Sequence, residues 1–275
     1  KQVIDSEINL NLDFKTTGDI KIHTAIKLQN DAWGDNSNGY LGTGNTTSRL
    51  TITQTGIATD WDKIFAIASN VYGIKTNGSL WAWGLNSDGQ LGNGTLENIS
   101  EPIQIGTDLN WTNISLSVNH GFGLKANGTI WSSGNNFSGQ LGQGNTNNST
   151  SFTQIGTSNS WRSIALGTSN SLALGTTYSL ALDNLNNLYS WGDNFSGQLG
   201  KGNTYIAVPR QVGNDFSWEK VFAGLVHSAA IKKDGSLWMW GRNRYGQLGD
   251  GLSATNVDIP KQVGTGKDWK YVSLG

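Results

Sequence analysis

The feature that most limits what this chain can fold into is a stretch of text that it repeats. Leu80-Trp81-Ala82-Trp83-Gly84-Leu85-Asn86-Ser87-Asp88-Gly89-Gln90-Leu91-Gly92-Asn93-Gly94 returns as Trp131-Ser132-Ser133-Gly134 with Gly139-Gln140-Leu141-Gly142. It returns again as Trp191-Gly192 with Gly197-Gln198-Leu199-Gly200 and as Trp240-Gly241 with Gly246-Gln247-Leu248-Gly249. A weaker copy stands at Trp33-Gly34 with Gly39-Tyr40-Leu41-Gly42. The anchoring glycines at 34, 84, 134, 192 and 241 are 50, 50, 58 and 49 residues apart, a period in the range of solenoids and propellers. A unit of that size cannot bury its own apolar face, so neighbouring copies must stack.

Each period has the same internal grammar. It opens on a tryptophan (Trp61, Trp111, Trp161, Trp218, Trp269), followed three residues later by Ile64, Ile114, Ile164, Val221 or Val272, which reads as a strand. A second short strand ends near Lys75, Lys125 and Lys232 and turns at Asn77-Gly78, Asn127-Gly128 and Asp234-Gly235, pairs suited to the positive φ angles of a two-residue hairpin. The third strand is the aromatic one, closed by glycine, and a loop leads from it to Gly-Gln-Leu-Gly. Two glycines three apart allow tight backbone on both sides of one leucine, which is free to plug an apolar seam. The glutamine between them can bind backbone groups that an irregular loop leaves unpaired. A catalytic residue is needed once, whereas a packing residue is needed in every repeat. The motif is therefore read as structural.

Composition agrees with an all-β chain: 37 glycines, 12 tryptophans and 3 prolines in 275 residues point to short aromatic strands joined by tight turns. No run of apolar residues is long enough for a membrane-spanning helix. With no cysteine there are no disulfides, thiolate metal sites or cysteine nucleophiles. A net charge of −1 gives no general attraction to nucleic acid or anionic lipid. The last quarter, residues 201–275, is mildly basic, with 10 basic and 6 acidic side chains, but contains no dense basic run.

Trp-x-Trp-Gly-x-Asn-x-x-Gly-Gln-Leu-Gly-x-Gly, preceded by a segment such as His227 to Gly235, resembles the repeat of the regulator of chromosome condensation family. The resemblance implies a β-propeller of four-stranded blades. It covers residues 23–275, with residues 1–22 read as an N-terminal extension. Familiar members have seven blades, and this chain offers five copies. Trp269 to Gly275 reads as the first strand of a repeat and His23 to Lys27 as the segment that comes next in one, so closure of a five-bladed ring by the two ends is expected. The alternative is an arc from a larger ring.

The chain carries few candidate chemical groups. His120 and His227 share one repeat position, where other copies carry Asn70 and Tyr178, and His23 lies within one residue of it. A histidine at a repeat position is read as binding backbone rather than metal. Asp35, Asp88 and Asp193 sit beside asparagine and glycine, where a carboxylate caps a turn. Ten tryptophans fill the strand-opening and Trp-Gly positions or their immediate strand neighbours, and Trp81 and Trp238 complete the aromatic strand, leaving none for a light-sensing cluster. No enzyme, cofactor or metal site is expected. Asn-x-Ser/Thr sequons at Asn77, Asn93, Asn113, Asn127, Asn136 and Asn194 follow from an asparagine- and threonine-rich repeat, and their density favours a bacterial or viral source.

One interval breaks the period. Leu166 to Ala173 is followed at once by a near-copy, Leu174 to Ala181, and removal of one copy restores a spacing of 50. Only one copy can fill the second strand, so the other should bulge from one face. It nominates Gly167, Thr168, Ser169, Asn170 and Ser171 as a binding loop. The expected function is a non-enzymatic propeller that presents loops to a protein or glycan partner. Its expected setting is an extracellular surface or virion rather than the cytoplasm, without membrane insertion or nucleic-acid binding. The alternative suggested by the family resemblance is a guanine-nucleotide exchange factor for a small GTPase.

Overall fold

The computed structural model describes residues 35–49, 58–67, 69–167, 177–202 and 205–274. Among these the fold is all-β, and no helix is long and apolar enough to cross a membrane. Four sheets follow one another along the chain, each an antiparallel meander of four strands in sequence order. Blade 1 comprises β1 (Trp61–Ile67), β2 (Asn70–Lys75), β3 (Leu80–Gly84) and β4 (Ile99–Gln104). Blade 2 comprises β5 (Trp111–Leu116), β6 (His120–Lys125), β7 (Ile130–Gly134) and β8 (Ser149–Gln154). Blade 3 comprises β9 (Trp161–Gly167), β10 (Tyr178–Asp183), β11 (Leu188–Gly192) and β12 (Ile206–Gln211). Blade 4 comprises β13 (Trp218–Ala223), β14 (His227–Lys232), β15 (Leu237–Gly241) and β16 (Val257–Gln262).

The core lies between blades as much as within them. One cluster joins Tyr178, Leu180, Leu188 and Leu199 of blade 3 to Trp218, Ala230 and Trp240 of blade 4. Others join Tyr72, Leu80 and Leu91 to Trp111 and Ile114, and Phe122 and Ile130 to Trp161, Ala181 and Trp191. Thus each blade leaves an apolar face that only its neighbour covers. The glycine that ends the aromatic strand is forced by geometry: Gly84 and Gly134 both have φ +107°, and a Cβ there would stand 2.2 and 2.4 Å from the carbonyl oxygens of Ser69 and Asn119.

The segment after β16 docks as the first strand of another blade would. Trp269 N donates to Gly235 O at 3.2 Å, as Trp111 N does to Gly78 O and Trp161 N to Gly128 O. Lys220 Nζ reaches Lys270 O at 2.8 Å, as Lys63 Nζ reaches Thr112 O. Val272 and Leu274 pack on the Ala229–Met239 cluster. The segment is not hydrogen-bonded as a strand, and Trp269 is 42% exposed where its four counterparts are 3–6% exposed. The extension over 1–22 and the N-terminal strands that would close the ring lie outside the described residues.

Candidate functional site

The repeated loop is a latch between blades, and an asparagine organises it. In each copy the asparagine five residues before the leucine accepts the leucine N–H: Asn86 for Leu91, Asn136 for Leu141 and Asn194 for Leu199 at 2.9 Å, and Asn243 for Leu248 at 3.1 Å. Its amide donates across the loop, as Asn86 Nδ2 does to Thr95 O at 3.0 Å. The glutamine Oε1 accepts a backbone N–H two residues earlier, from Asp88, Ser138, Ser196 and Tyr245. The leucines are 0–1% exposed. In blades 2 and 3 the glutamine's own carbonyl then receives the indole of the next blade: Trp191 Nε1 donates to Gln140 O and Trp240 Nε1 to Gln198 O, both at 2.8 Å, while Gln90 O receives the Ser133 hydroxyl at 3.1 Å. In the weak copy Tyr40 O takes the indole of Trp83 at 3.0 Å. Both roles expected from sequence, leucine plug and glutamine brace, are present. The asparagine's role is new, and the signal that could have found it is its recurrence in all five copies.

In a four-stranded meander, the connection between the first two strands and that between the last two emerge on the same side. That side carries the latch loops. The tips of the latch loops in blades 2, 3 and 4 expose aromatic rings: Phe137 is 85%, Phe195 89% and Tyr245 77% exposed. At the place of Phe137 and Phe195 blade 1 has Ser87, the weak copy Ser37 and blade 4 Arg244, whereas Tyr245 stands one residue later, at the place of Ser138 and Ser196. Arg242 and Arg244 flank Tyr245, with guanidinium carbons 5.7 and 5.8 Å from its ring centroid.

Register places the duplicated stretch in part. Tyr178 pairs with Gly167 and Asp183 with Trp161, so the second copy supplies β10 and the surplus falls in the connection after β9. Gly167 is not part of a loop: it ends β9, is buried, and a Cβ there would stand 1.9 Å from Tyr178 Cε1. Thr168, Ser169, Asn170 and Ser171 lie outside the described residues.

The titratable residues behave as framework. His120 is fully buried, and desolvation lowers its pKa to about 3, so the ring is neutral. Its Nδ1 lies 3.1 Å from Asn119 Oδ1, a side chain rather than the backbone partner that its repeat position suggests. Burial also lowers His227, whereas His23 lies outside the described residues. Asp35 accepts Ser37 N at 2.9 Å, a backbone bond that holds its carboxyl below the usual range. Asp88 accepts Asn135 Nδ2, and Asp193 accepts Gln198 Nε2. Among the described residues no group of three or more potential ligands could hold a metal ion.

A sheet of four antiparallel strands, repeated with an inter-blade latch, defines a β-propeller repeat protein. The regulator of chromosome condensation (RCC1) repeat model matches residues 77–124, 127–174, 186–231 and 234–275, and a second RCC1 repeat model matches 218–247. These matches cover more than half of the chain, which belongs to the RCC1 repeat family. No curated protein matches the sequence. Among solved structures, human WBSCR16 superposes with a TM-score of 0.67 at 23% identity, over 85% of this chain and 62% of that one. Prp20p from Saccharomyces cerevisiae, described with its binding to Gsp1p and histones, gives 0.68 at 19% identity, over 88% and 58%. Yeast RCC1 (Prp20) bound to Kap60 gives 0.64 at 20% identity, over 85% and 56%. The chain thus spans 56–62% of the length of these proteins, and the likeness is one of fold.

Proposed function

We propose that the chain is a non-enzymatic binding module that docks another protein on the side carrying the latch-loop tips. The observation that carries this reading is the set of three strongly exposed aromatic rings on the latch-loop tips of consecutive blades, Phe137 and Phe195 at matching places and Tyr245 one residue further along its loop. The fold has no use for them, since blade 1 builds the same loop with Ser87. Rigid aromatic side chains on a fixed scaffold are favourable anchors because little conformational entropy is lost on contact. Arg242 and Arg244 add donors suited to carboxylates on the partner. The surplus residues 168–171, which the sequence nominates as a binding loop, belong to the same proposal. So does a setting on the surface or particle of a bacterial or viral source, for which the sequon-rich composition speaks.

The test is affinity capture from the native source with wild-type chain and with a Phe137→Ala/Phe195→Ala/Tyr245→Ala variant. A protein captured by the first and lost by the second supports the proposal. Equal capture by both, saturable binding of a glycan in its place, or acceleration of nucleotide exchange on a small GTPase would overturn it.

A further inference from the structure

Three of the four blades hold a lysine, buried or largely buried, in the same way. Lys75, Lys125 and Lys232 each pair in register with the strand-opening tryptophan, Trp61, Trp111 and Trp218. Each ammonium sits over that ring and over the aromatic ring of the third strand. Lys125 Nζ is 4.5 Å from the Trp111 centroid and 3.6 Å from that of Trp131; Lys232 Nζ is 4.9 and 3.7 Å from Trp218 and Trp238. Lys75 Nζ is 5.2 and 4.3 Å from Trp61 and Trp81. A carboxylate completes each site: Asp60 at 3.0 Å, Asp108 at 2.8 Å and Asp215 at 2.5 Å.

Blade 3 keeps the aromatic pair and lacks the cation. Asp183 occupies the lysine's register position opposite Trp161, and Tyr189 occupies that of the third-strand tryptophan. The places from which the other blades supply their aspartate are Ser158 and Ser160. A groove of about 550 Å³ opens there between blades 2 and 3, lined by Trp161, Tyr189, Asp183, Ser158, Ser160 and Pro209 among others. Tyr189 leans over Trp161, with centroids 4.9 Å apart against 5.9–6.3 Å for the tryptophan pairs.

Asp183 is 5% exposed, and none of the ion pairs among the described residues includes it. Its Oδ1 accepts the N–H groups of Leu185 and Asn187 at 2.9 Å, and Oδ2 accepts Asn187 Nδ2 at 2.7 Å. The remaining contact, from the Tyr189 hydroxyl, is 3.4 Å long. A carboxylate offers about four acceptor positions, so Oδ2 retains capacity toward the groove. The guanidinium of Arg162 binds the carbonyl oxygens of Asp183, Trp218 and Glu219 instead. Burial, and then the negative charge of Asp183, push the Tyr189 hydroxyl above the usual phenol pKa.

We infer that this groove in blade 3 is a binding site for an alkylammonium group, which enters from outside the chain and takes the place that a lysine fills in the other three blades. The ring faces of Trp161 and Tyr189 receive the cation, and Asp183 Oδ2 accepts its hydrogen bond in exchange for the long contact to the Tyr189 hydroxyl. The ammonium can come from a lysine side chain of another protein or from a free amine.

The test is a titration of the folded chain with Nα-acetyl-lysine methylamide, its uncharged isostere Nα-acetyl-norleucine methylamide, and cadaverine, followed by the Trp161 indole N–H resonance. The lysine amide should shift that resonance saturably and the norleucine amide should not. Preference for the lysine amide over cadaverine would assign a protein source, and equal binding a free amine. Asp183→Asn keeps a carbonyl oxygen for the two backbone N–H groups, sets an amide N–H against Asn187 Nδ2 and so lowers the melting temperature somewhat, and should weaken binding at least about tenfold in the folded chain. Asp183→Lys should fill the groove and abolish binding. No saturable shift in wild type, equal response to norleucine, or full affinity in a folded Asp183→Asn chain would overturn the inference. The norleucine comparison needs no variant and stands even if both substitutions prevent folding.

Discussion

Replacement of Leu199 by alanine tests the latch where it joins blades 3 and 4. The side chain is 0% exposed and packs in a cluster with Leu188, Trp218, Ala230 and Trp240, while its N–H is held by Asn194 Oδ1 at 2.9 Å. The substitution leaves that backbone bond in place and removes only apolar atoms. Loss of their burial costs about 2.4 kcal/mol at roughly 0.8 kcal/mol per carbon, and the partly collapsed cavity adds up to about 1 kcal/mol. The expected loss is therefore about 3 kcal/mol. In a chain of this size that lowers the melting temperature by about 6–12 °C. Urea titration followed by far-UV circular dichroism and tryptophan fluorescence would measure it. The control is Leu185→Ala, at a side chain 69% exposed, which should cost less than about 0.5 kcal/mol. If the two variants fell within about 0.5 kcal/mol of each other, the leucine would not be a plug and the argument from repetition would fail.

Gly134→Ala should destabilise by about 2 kcal/mol or more, since φ is +107° and the new Cβ meets the Asn119 carbonyl oxygen at 2.4 Å. Gly156→Ala, at φ +58° with open space around it, should cost only about 1 kcal/mol in the same thermal melts. Lys125→Met should lose about 1–2 kcal/mol, mainly through the two ring contacts, and a double-mutant cycle with Asp108→Asn should leave the ion pair no more than about 1 kcal/mol because Asp108 is 55% exposed. His120 has a folded pKa lowered to about 3, below the ordinary value of 6.5, so the unfolded chain takes up its proton first as pH falls. Its stabilising effect is full above pH 6.5 and is lost, by up to about 1.4 kcal/mol per unit, as pH falls toward 3. His120→Asn, the residue type that blade 1 carries at Asn70, should flatten that part of the denaturation profile relative to wild type, and an unchanged slope would refute the assignment.

The fold is legible in the sequence because a repeat states each rule several times. Leu91, Leu141, Leu199 and Leu248 can be read as plugs from recurrence alone, and all are buried. The fourth strand of each blade, such as Ile99–Gln104, is not legible from its own residues: they are intermediate or exposed, none is buried, and the outer edge faces solvent, so no apolar alternation marks it. The aromatic tips are concealed for a different reason. Phe137 and Phe195 look like further packing residues in a chain full of aromatics, and only the loop's path places them outside. Asp183 can be found by aligning the copies, since a carboxylate stands where three other repeats have lysine. The significance of that exchange still depends on the register that sets it opposite Trp161.

The measurement that bears most directly on the proposed function compares the two sides of the propeller. Benzoylphenylalanine placed in turn at Phe137 and Phe195, on the latch-loop side, and at Leu109 and Leu185, on the hairpin-turn side, gives four probes at side chains already 57–89% exposed. After irradiation in the native source, one and the same protein adduct is expected from positions 137 and 195 and none from 109 and 185. Adducts from 109 or 185 with none from 137 and 195 would contradict the proposed function and move the binding surface to the opposite side.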